Sequence, residues 1–266
     1  MAIADRLRAA ALYAATVCAA TLGAGPLAAE PCARAVHDGA GYTICTIEAG
    51  ADLRLFLTAP DGRTYGSFDR LAAALAAAGG QLVMAMNAGM YHADRSPVGL
   101  YVEDGTLRAP VVTGPSRDNF GMLPNGIFCV LPDRFAVIET RRYVARPPAC
   151  RHATQSGPML LIDGALHPRF IPDSPSRFVR NGVGVSADGR RAYLAISDGR
   201  VSFDAFARLF RDRLGVRDAL YLDGNISRLY APGIGRRDFG LPMGPILGLV
   251  VPAGSSGAVD APVQGD

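Results

Sequence analysis

The amino-acid sequence predicts an α+β fold: a mixed, largely antiparallel sheet built from hairpins, with two main helices. Three observations carry that expectation. The 266 residues include 31 Gly and 19 Pro, which implies many turns and short elements rather than a helical bundle. Asp-Gly pairs recur between runs of alternating apolar residues, a hairpin signal. Only two stretches show helical spacing, and each opens on a serine suited to an N-cap. The length suits one large domain or two small ones, and a hydrophobic content of 49% supplies a sizeable core.

Residues 1–29 read as an export signal. Arg6 and Arg8 precede an apolar run over 9–22, and Gly23, Gly25, Pro26, Ala28 and Ala29 follow as a small-residue cleavage region. An uncleaved membrane anchor is the alternative. Residues 30–253 are then the folded domain, and 254–266, mostly Gly, Ser, Ala and Pro in its last dozen, a disordered tail. Residues 41–57 alternate apolar and polar side chains and are expected as paired strands. Asp61-Gly62 is a turn. Ser67 caps a helix over FDRLAAALAAA that Gly79-Gly80 closes. A buried strand at 81–86 runs into a polar loop bearing Asn87, Gly89, Tyr91, His92, Asp94, Arg95 and Ser96. Strand pairs are expected at 98–112, 126–140, 155–168 and 182–200. They turn at Asp104-Gly105, Pro132-Asp133, Asp163-Gly164 and Asp188-Gly189. Ser202 caps the second helix, with Phe203, Phe206, Leu209, Phe210 and Leu214 on one face and Gly215 as its stop. A strand at 219–223, a loop over 224–241 and a last strand at 245–251 complete the chain. A Ser-capped helix followed by an apolar strand that ends in a polar loop occurs twice, at 67–95 and 202–230. Both copies start Ser-Phe-Asp, which suggests two half-repeats.

Composition excludes several chemistries. A net charge of +3 with scattered basic residues argues against nucleic acid as a partner. All 27 basic residues are Arg. Without lysine there is no Schiff base, no pyridoxal-phosphate anchor and no P-loop lysine, and no nucleotide cofactor is expected. Any anion must be held by Arg, backbone amides or a metal, and the planar guanidinium suits phosphate. Setting aside Cys18 in the signal, Cys32, Cys45, Cys129 and Cys150 remain. An even number fits two disulfides in an oxidising compartment, periplasmic or extracellular. Three pairings are open; the local one, Cys32–Cys45 and Cys129–Cys150, closes short loops and is the expectation. No C-x-x-C pair supports zinc.

Asp198 and Asp223 stand apart from the hairpin turns. Each follows an apolar strand but precedes a helix start or a long loop, which is how a rigid strand delivers polar groups to a site. Ser156 lacks the G-x-S-x-G setting of a serine hydrolase. NAGMY (87–91) followed by Pro97 and Gly99, QSGPML (155–160), RNGVGV (180–185), SDG (197–199) and LDGNIS (222–227) resemble, in order and spacing, the phosphodiester glycosidase family, and in particular its exported bacterial branch. The resemblance covers roughly 80–251. It implies hydrolysis of a sugar-1-phosphodiester at the anomeric carbon, with a carbohydrate or glycosyl phosphate as the partner. Phosphate is already a good leaving group, so the site must bind an anion and stabilise an oxocarbenium-like state, for which carboxylates are suited. Carried onto this sequence, the resemblance makes Asp223 and Asp198 the catalytic carboxylates. It makes Arg180 the anion ligand, with Arg228 and Arg95 weaker candidates. Asn87, Ser227 and Asn225 would position hydroxyls or water, and Gly89 and Gly157 belong to the same motifs. Asn225 stands where the family has a second glycine. No cofactor is called for; a divalent cation held by Asp198 and Asp223 is the alternative. A structural role for Arg180, as partner of Asp223 or Asp198, is the other reading of that residue. The competing functions are a non-catalytic envelope glycan-binding protein and a metal-dependent phosphodiesterase. Membrane contact is expected only through an uncleaved signal.

Overall fold

The computed structural model describes residues 30–116, 118–223 and 226–254. The expected signal over 1–29, Asn225 and residues 255–266 of the expected tail lie outside the described residues. The strands form three sheets, and every pairing between named strands is antiparallel. The first sheet has seven strands, in the order Cys32–His37, Ala40–Glu48, Arg191–Ser197, Asn181–Val185, Asp218–Asp223, Met159–Ile162 and Ala165–Leu166. The second has five: Arg236–Arg237, Leu229–Ala231, Gly80–Asn87, Ile246–Pro252 and Asp52–Phe56. The third also has five: Thr106–Ala109, Tyr101–Glu103, His152–Ser156, Gly126–Val130 and Phe135–Glu139.

The three sheets close on one core. Val183, Leu220 and Leu222 from the first meet Met84, Met86 and Leu247 from the second and Tyr101 and Phe128 from the third. Helices cover the outer faces. The helix Phe203–Arg208, continued by a wider π-type turn over Leu209–Arg213, packs Phe206 and Phe210 onto Tyr221 and Ala195 of the first sheet. Two glycines permit that approach. A Cβ at Gly182 would lie 2.8 Å from the Leu220 carbonyl oxygen, and one at Gly184 would lie 2.7 Å from the Phe210 ring. The helix Phe68–Ala77 covers the second sheet through Phe68 and Leu71, and the Ser67 hydroxyl accepts a hydrogen bond from the Arg70 amide as its cap.

The hairpins expected at 98–112, 126–140, 155–168 and 182–200 form. The pairing expected within 41–57 does not. Ala40–Glu48 pairs with Cys32–His37 and Arg191–Ser197, whereas Asp52–Phe56 pairs with Ile246–Pro252 in the second sheet. The cause lies in Cys32–His37, a strand absent from the sequence-based expectation. It takes the pairing edge, and the chain crosses between sheets at Gly50, which has φ 92°. A short helix, Thr140–Ala145, is also unforeseen. All four described cysteines are in disulfides with the local pairing, Cys32–Cys45 and Cys129–Cys150.

Candidate active site

The two strands that follow the Ser-capped helices lie in different sheets, and their last residues meet. Asn87 ends one and is fully buried; Asp223 ends the other and is 6% exposed. Asn87 Nδ2 donates to Asp223 Oδ2 at 3.3 Å and to Asn181 Oδ1 at 3.4 Å. Asn87 Oδ1 accepts from the Arg228 backbone amide at 2.8 Å. Asn181 Nδ2 donates to the Asn87 carbonyl at 2.9 Å. The Ser227 hydroxyl donates to the Val179 carbonyl at 3.0 Å and reaches Asn181 Oδ1 at 3.3 Å. Side-chain amides thus join the first sheet to the second at their strand ends, as buried polar groups must be satisfied somewhere.

Local sheet geometry explains how Asp223 reaches this place. Asn181 pairs with Asp223 and Gly182 with Tyr221, so Leu222 is one extra residue on the Asp223 strand. Such a bulge re-aims the side chain that follows it. The Ser156 hydroxyl holds the bulge by donating to the Leu222 carbonyl at 2.6 Å. The loop after Asn87 is pressed onto the strand His152–Ser156. The Gly89 amide donates to Thr154 Oγ1 at 3.2 Å, and a Cβ there would lie 2.4 Å from the Gln155 carbonyl oxygen. Gly157 is equally crowded, since its Cβ would sit 2.7 Å from that of Asn125. Both glycines act as spacers that let loops close on the site. The Tyr91 phenol is raised above the usual range by burial first and by the Asp223 charge second.

Arg180 is 1% exposed and lies beside this network. Its guanidinium stacks 3.6 Å over the Phe203 ring, with Phe178 and Tyr221 rings further out. Nε donates to the Val201 carbonyl at 2.9 Å and Nη2 to the Ser176 carbonyl at 3.2 Å. Nη1 is buried without a hydrogen-bond partner. Among the described residues Arg180 makes no ion pair, with Asp223, Asp198 or any other carboxylate. Burial holds its pKa below the ordinary arginine value. The Tyr221 hydroxyl sits close enough to feel both Arg180 and Asp223, without a well-formed hydrogen bond to either, and burial pushes its pKa up.

Asp198 belongs to a different set of contacts. Its Oδ1 accepts from Arg236 Nη1 at 2.8 Å and from Thr43 Oγ1 at 3.2 Å, and its side chain is 43% exposed. Arg236 also pairs with Asp238 at 3.1 Å, and Asp238 Oδ2 accepts from the Leu229 amide at 2.9 Å. Among the described residues, Asp198 is linked to the residue after the Ser227–Arg228 segment through Arg236 and Asp238. The Arg228 guanidinium is directed away from the amide network, onto the Leu241 carbonyl at 2.6 Å. Among the described residues no group of three or more His, Cys, Asp or Glu is placed to hold a metal ion. A groove of about 890 Å³ between Arg34, Ile44, Glu48 and Arg213 contains none of these groups.

Of the residues singled out from the sequence, Asp223, Asn87 and Ser227 come together, with Arg228 joining through its backbone and Arg180 beside them. Asp198 does not. Asn181, Tyr91, Arg236 and Asp238 carry parts of the arrangement that sequence reading left unassigned. A buried amide heading the apolar run NGVGV was the available signal for Asn181.

A model of the phosphodiester glycosidase family matches residues 80–238. The chain belongs to the phosphodiester glycosidase family. That makes it a hydrolase-family member of the class that acts on phosphodiester-linked sugars. It is 33% identical over 181 residues to the uncharacterised protein YigE of Escherichia coli (strain K12), covering 68% of this chain and 70% of that protein. Its fold is similar to the catalytic domain of zebrafish N-acetylglucosamine-1-phosphodiester α-N-acetylglucosaminidase, a structure described as auto-inhibited by its pro-peptide. The TM-score is 0.54 at 14% identity, over 82% of this chain and 81% of that one. Within this phosphodiester glycosidase, the Asn87–Asn181–Asp223 network falls wholly inside the matched segment.

Proposed function

We propose that this phosphodiester glycosidase is an exported hydrolase that cleaves a sugar-1-phosphodiester at the anomeric carbon. The observation that carries the reading is Asp223: a carboxylate at a bulged strand end, 6% exposed, that accepts a hydrogen bond from the Asn87 amide. Asp223 serves as base or nucleophile at the sugar. The Asn87 hydrogen bond fixes its direction. Asn181 and Ser227 complete the polar wall, and Asn225, two positions after Asp223 in the sequence, is proposed as a further ligand. The departing phosphate needs little protonation, so anion binding matters more than a strong acid.

Arg180 is the cation for that anion. A buried guanidinium without a carboxylate is costly unless something compensates it, and its Nη1 lacks a hydrogen-bond partner. Engaging phosphate requires Phe178 and the Ser176 carbonyl to give way. Asp198 acts on the site as a positioning residue: through Arg236 and Asp238 it fixes the strand that follows Ser227 and Arg228. Export is supported by the signal-like residues 1–29 and by the two disulfides, and no helix among the described residues is long and apolar enough to cross a membrane. The name of the zebrafish protein supplies the first sugar to try, N-acetylglucosamine.

The test is a panel of methyl diesters of sugar-1-phosphates, N-acetylglucosamine among them, with product release and binding measured in parallel. Free sugar and phosphomonoester are expected. Binding without any product would instead favour a glycan-binding role.

A further inference from the structure

A guanidinium that is 1% exposed meets no anion from solvent while its surroundings stay as they are. If Arg180 is to bind phosphate, one of the groups packed around it must move, and three of the four are fixed. Val201, whose carbonyl accepts from Arg180 Nε, exchanges backbone hydrogen bonds with Phe178 at 2.9 and 3.1 Å. Phe203, stacked on the guanidinium at 3.6 Å, opens a helix that Ser202 caps. Tyr221 lies in a strand paired on both sides. The fourth group is the segment 168–178. Its residues are exposed except for Phe170 and Ser174, which are half-buried. Apart from the Ser176 carbonyl, its backbone between Pro168 and Arg177 bonds only to His167 or to itself. Among the described residues, none of Arg169, Asp173 and Arg177 is in an ion pair. A cavity of about 480 Å³ lies between Asp173 and Arg177 on the segment and Gly41 and Arg208 on the body of the protein.

Two contacts hold this segment down. The Phe170 ring stacks on Phe203 with centroids 5.1 Å apart and 5° between the planes, and His167 stacks on Phe170 at 4.9 Å. The Ser176 carbonyl accepts from Arg180 Nη2 at 3.2 Å. Both ends are anchored, at buried His167 and at Phe178, which is bonded to Val201. Pro168, Pro172 and Pro175 each fix a backbone angle, so the segment swings as a stiff strap rather than unravelling. Resting on the reading of Arg180 as the ligand of the phosphate, we infer that residues 168–178 are a lid over Arg180, and that an anion opens it by taking the place of the Ser176 carbonyl. A neutral carbonyl is the weaker acceptor for a guanidinium, since hydrogen bonds between two charged groups are shorter and stronger. Nη1, buried without a partner, gives the incoming anion a second donor on the same fork. The closed strap keeps water from the site until a phosphate arrives.

The chain contains no tryptophan, so Phe170→Trp places a single reporter in the stack. Inorganic phosphate is titrated at constant ionic strength, with emission and calorimetry read on the same protein. A saturable red shift that follows the calorimetric isotherm is expected, and it should vanish in the Phe170→Trp, Arg180→Gln double variant. Phosphate bound with the emission unchanged would overturn the lid while leaving Arg180 as a ligand. A red shift that survives Arg180→Gln would also overturn it. Phosphate that does not bind wild type at all removes the anion reading of Arg180, and the lid with it. A second variant needs neither the reporter nor a change at Arg180. Phe170→Ala takes away the stack that favours the closed state, so a larger share of the protein is ready to bind. Phosphate affinity should then rise at least threefold, with the melting temperature showing that the variant is folded. An equal or weaker affinity would mean that Phe170 orders the site instead of covering it, which ends the proposal.

Discussion

Asp198 and Asp223 occupy matching places in the same sheet. Each follows a buried strand, each precedes a glycine, and the two strands run side by side with only Asn181–Val185 between them, ending at the same edge. Their surroundings differ in kind. Asp223 is 6% exposed and is oriented by an uncharged amide. Asp198 has a side chain 43% exposed and gives one oxygen to Arg236 and Thr43. Asp223 sits in the buried wall where the Asn87 and Asn181 amides meet, and Asp198 sits on a guanidinium that ties it to the neighbouring sheet. The contrast shows that a motif places a residue at a strand end, while packing of the next sheet decides what it can do there.

The largest effect belongs to Asp223. Asp223→Asn keeps the shape and a hydrogen-bonding group toward Asn87, so it should lower kcat/KM by about a thousandfold or more with little change in melting temperature. An active Asp223→Asn enzyme would break the contrast at once. Asn87→Ala comes next. It removes both the donor to Asp223 and the acceptor for the Arg228 amide, so a loss of about ten- to a hundredfold in activity is expected, with destabilisation of about 1–3 kcal/mol in urea unfolding. Asp198→Asn should cost about tenfold or less. Its effect should be non-additive with that of Arg236→Ala, since both act through one bridge. Equal losses for Asp198→Asn and Asp223→Asn would erase the distinction between them.

The smallest effect on catalysis, and the control for acid experiments, comes from His152. Burial lowers its pKa to about 4 from the ordinary 6.5. In the folded protein the imidazole therefore stays neutral over a range in which the unfolded chain takes up a proton. Stability is unaffected above pH 6.5 and falls as the pH drops from 6.5 toward 4, by on the order of 3 kcal/mol. Urea midpoints across that window, in wild type and His152→Asn, measure it. Activity lost in step with the wild-type midpoint belongs to His152. Activity lost earlier belongs to a group other than His152.

Much of this architecture was legible in local sequence. Alternation and Asp-Gly pairs gave the hairpins, and Asp104 and Asp163 take the positive φ that such turns require. Ser67 and Ser202 marked both main helices because a cap is a contact within three residues. What stayed hidden depends on distant partners. The division into three sheets follows from edges that sequence neighbours do not reveal, as the parting of Ala40–Glu48 from Asp52–Phe56 shows. Asn87 and Asp223 were each visible as polar groups ending apolar strands, but their meeting across 136 positions was not. Asp198 looked equivalent to Asp223 because Arg236, 38 residues away, carries no local sign of pairing with it. The bulge at Leu222 left no trace in the pattern of LYLDG.

In the function proposed above, the bond broken is the one at the anomeric carbon rather than a bond to phosphorus. Hydrolysis of a sugar-1-phosphodiester in oxygen-18 water tests it directly, with products read by mass spectrometry. The label is expected in the released sugar, with the phosphomonoester unlabelled. Label in the phosphate would contradict the account and assign the chain to phosphodiester cleavage at phosphorus instead.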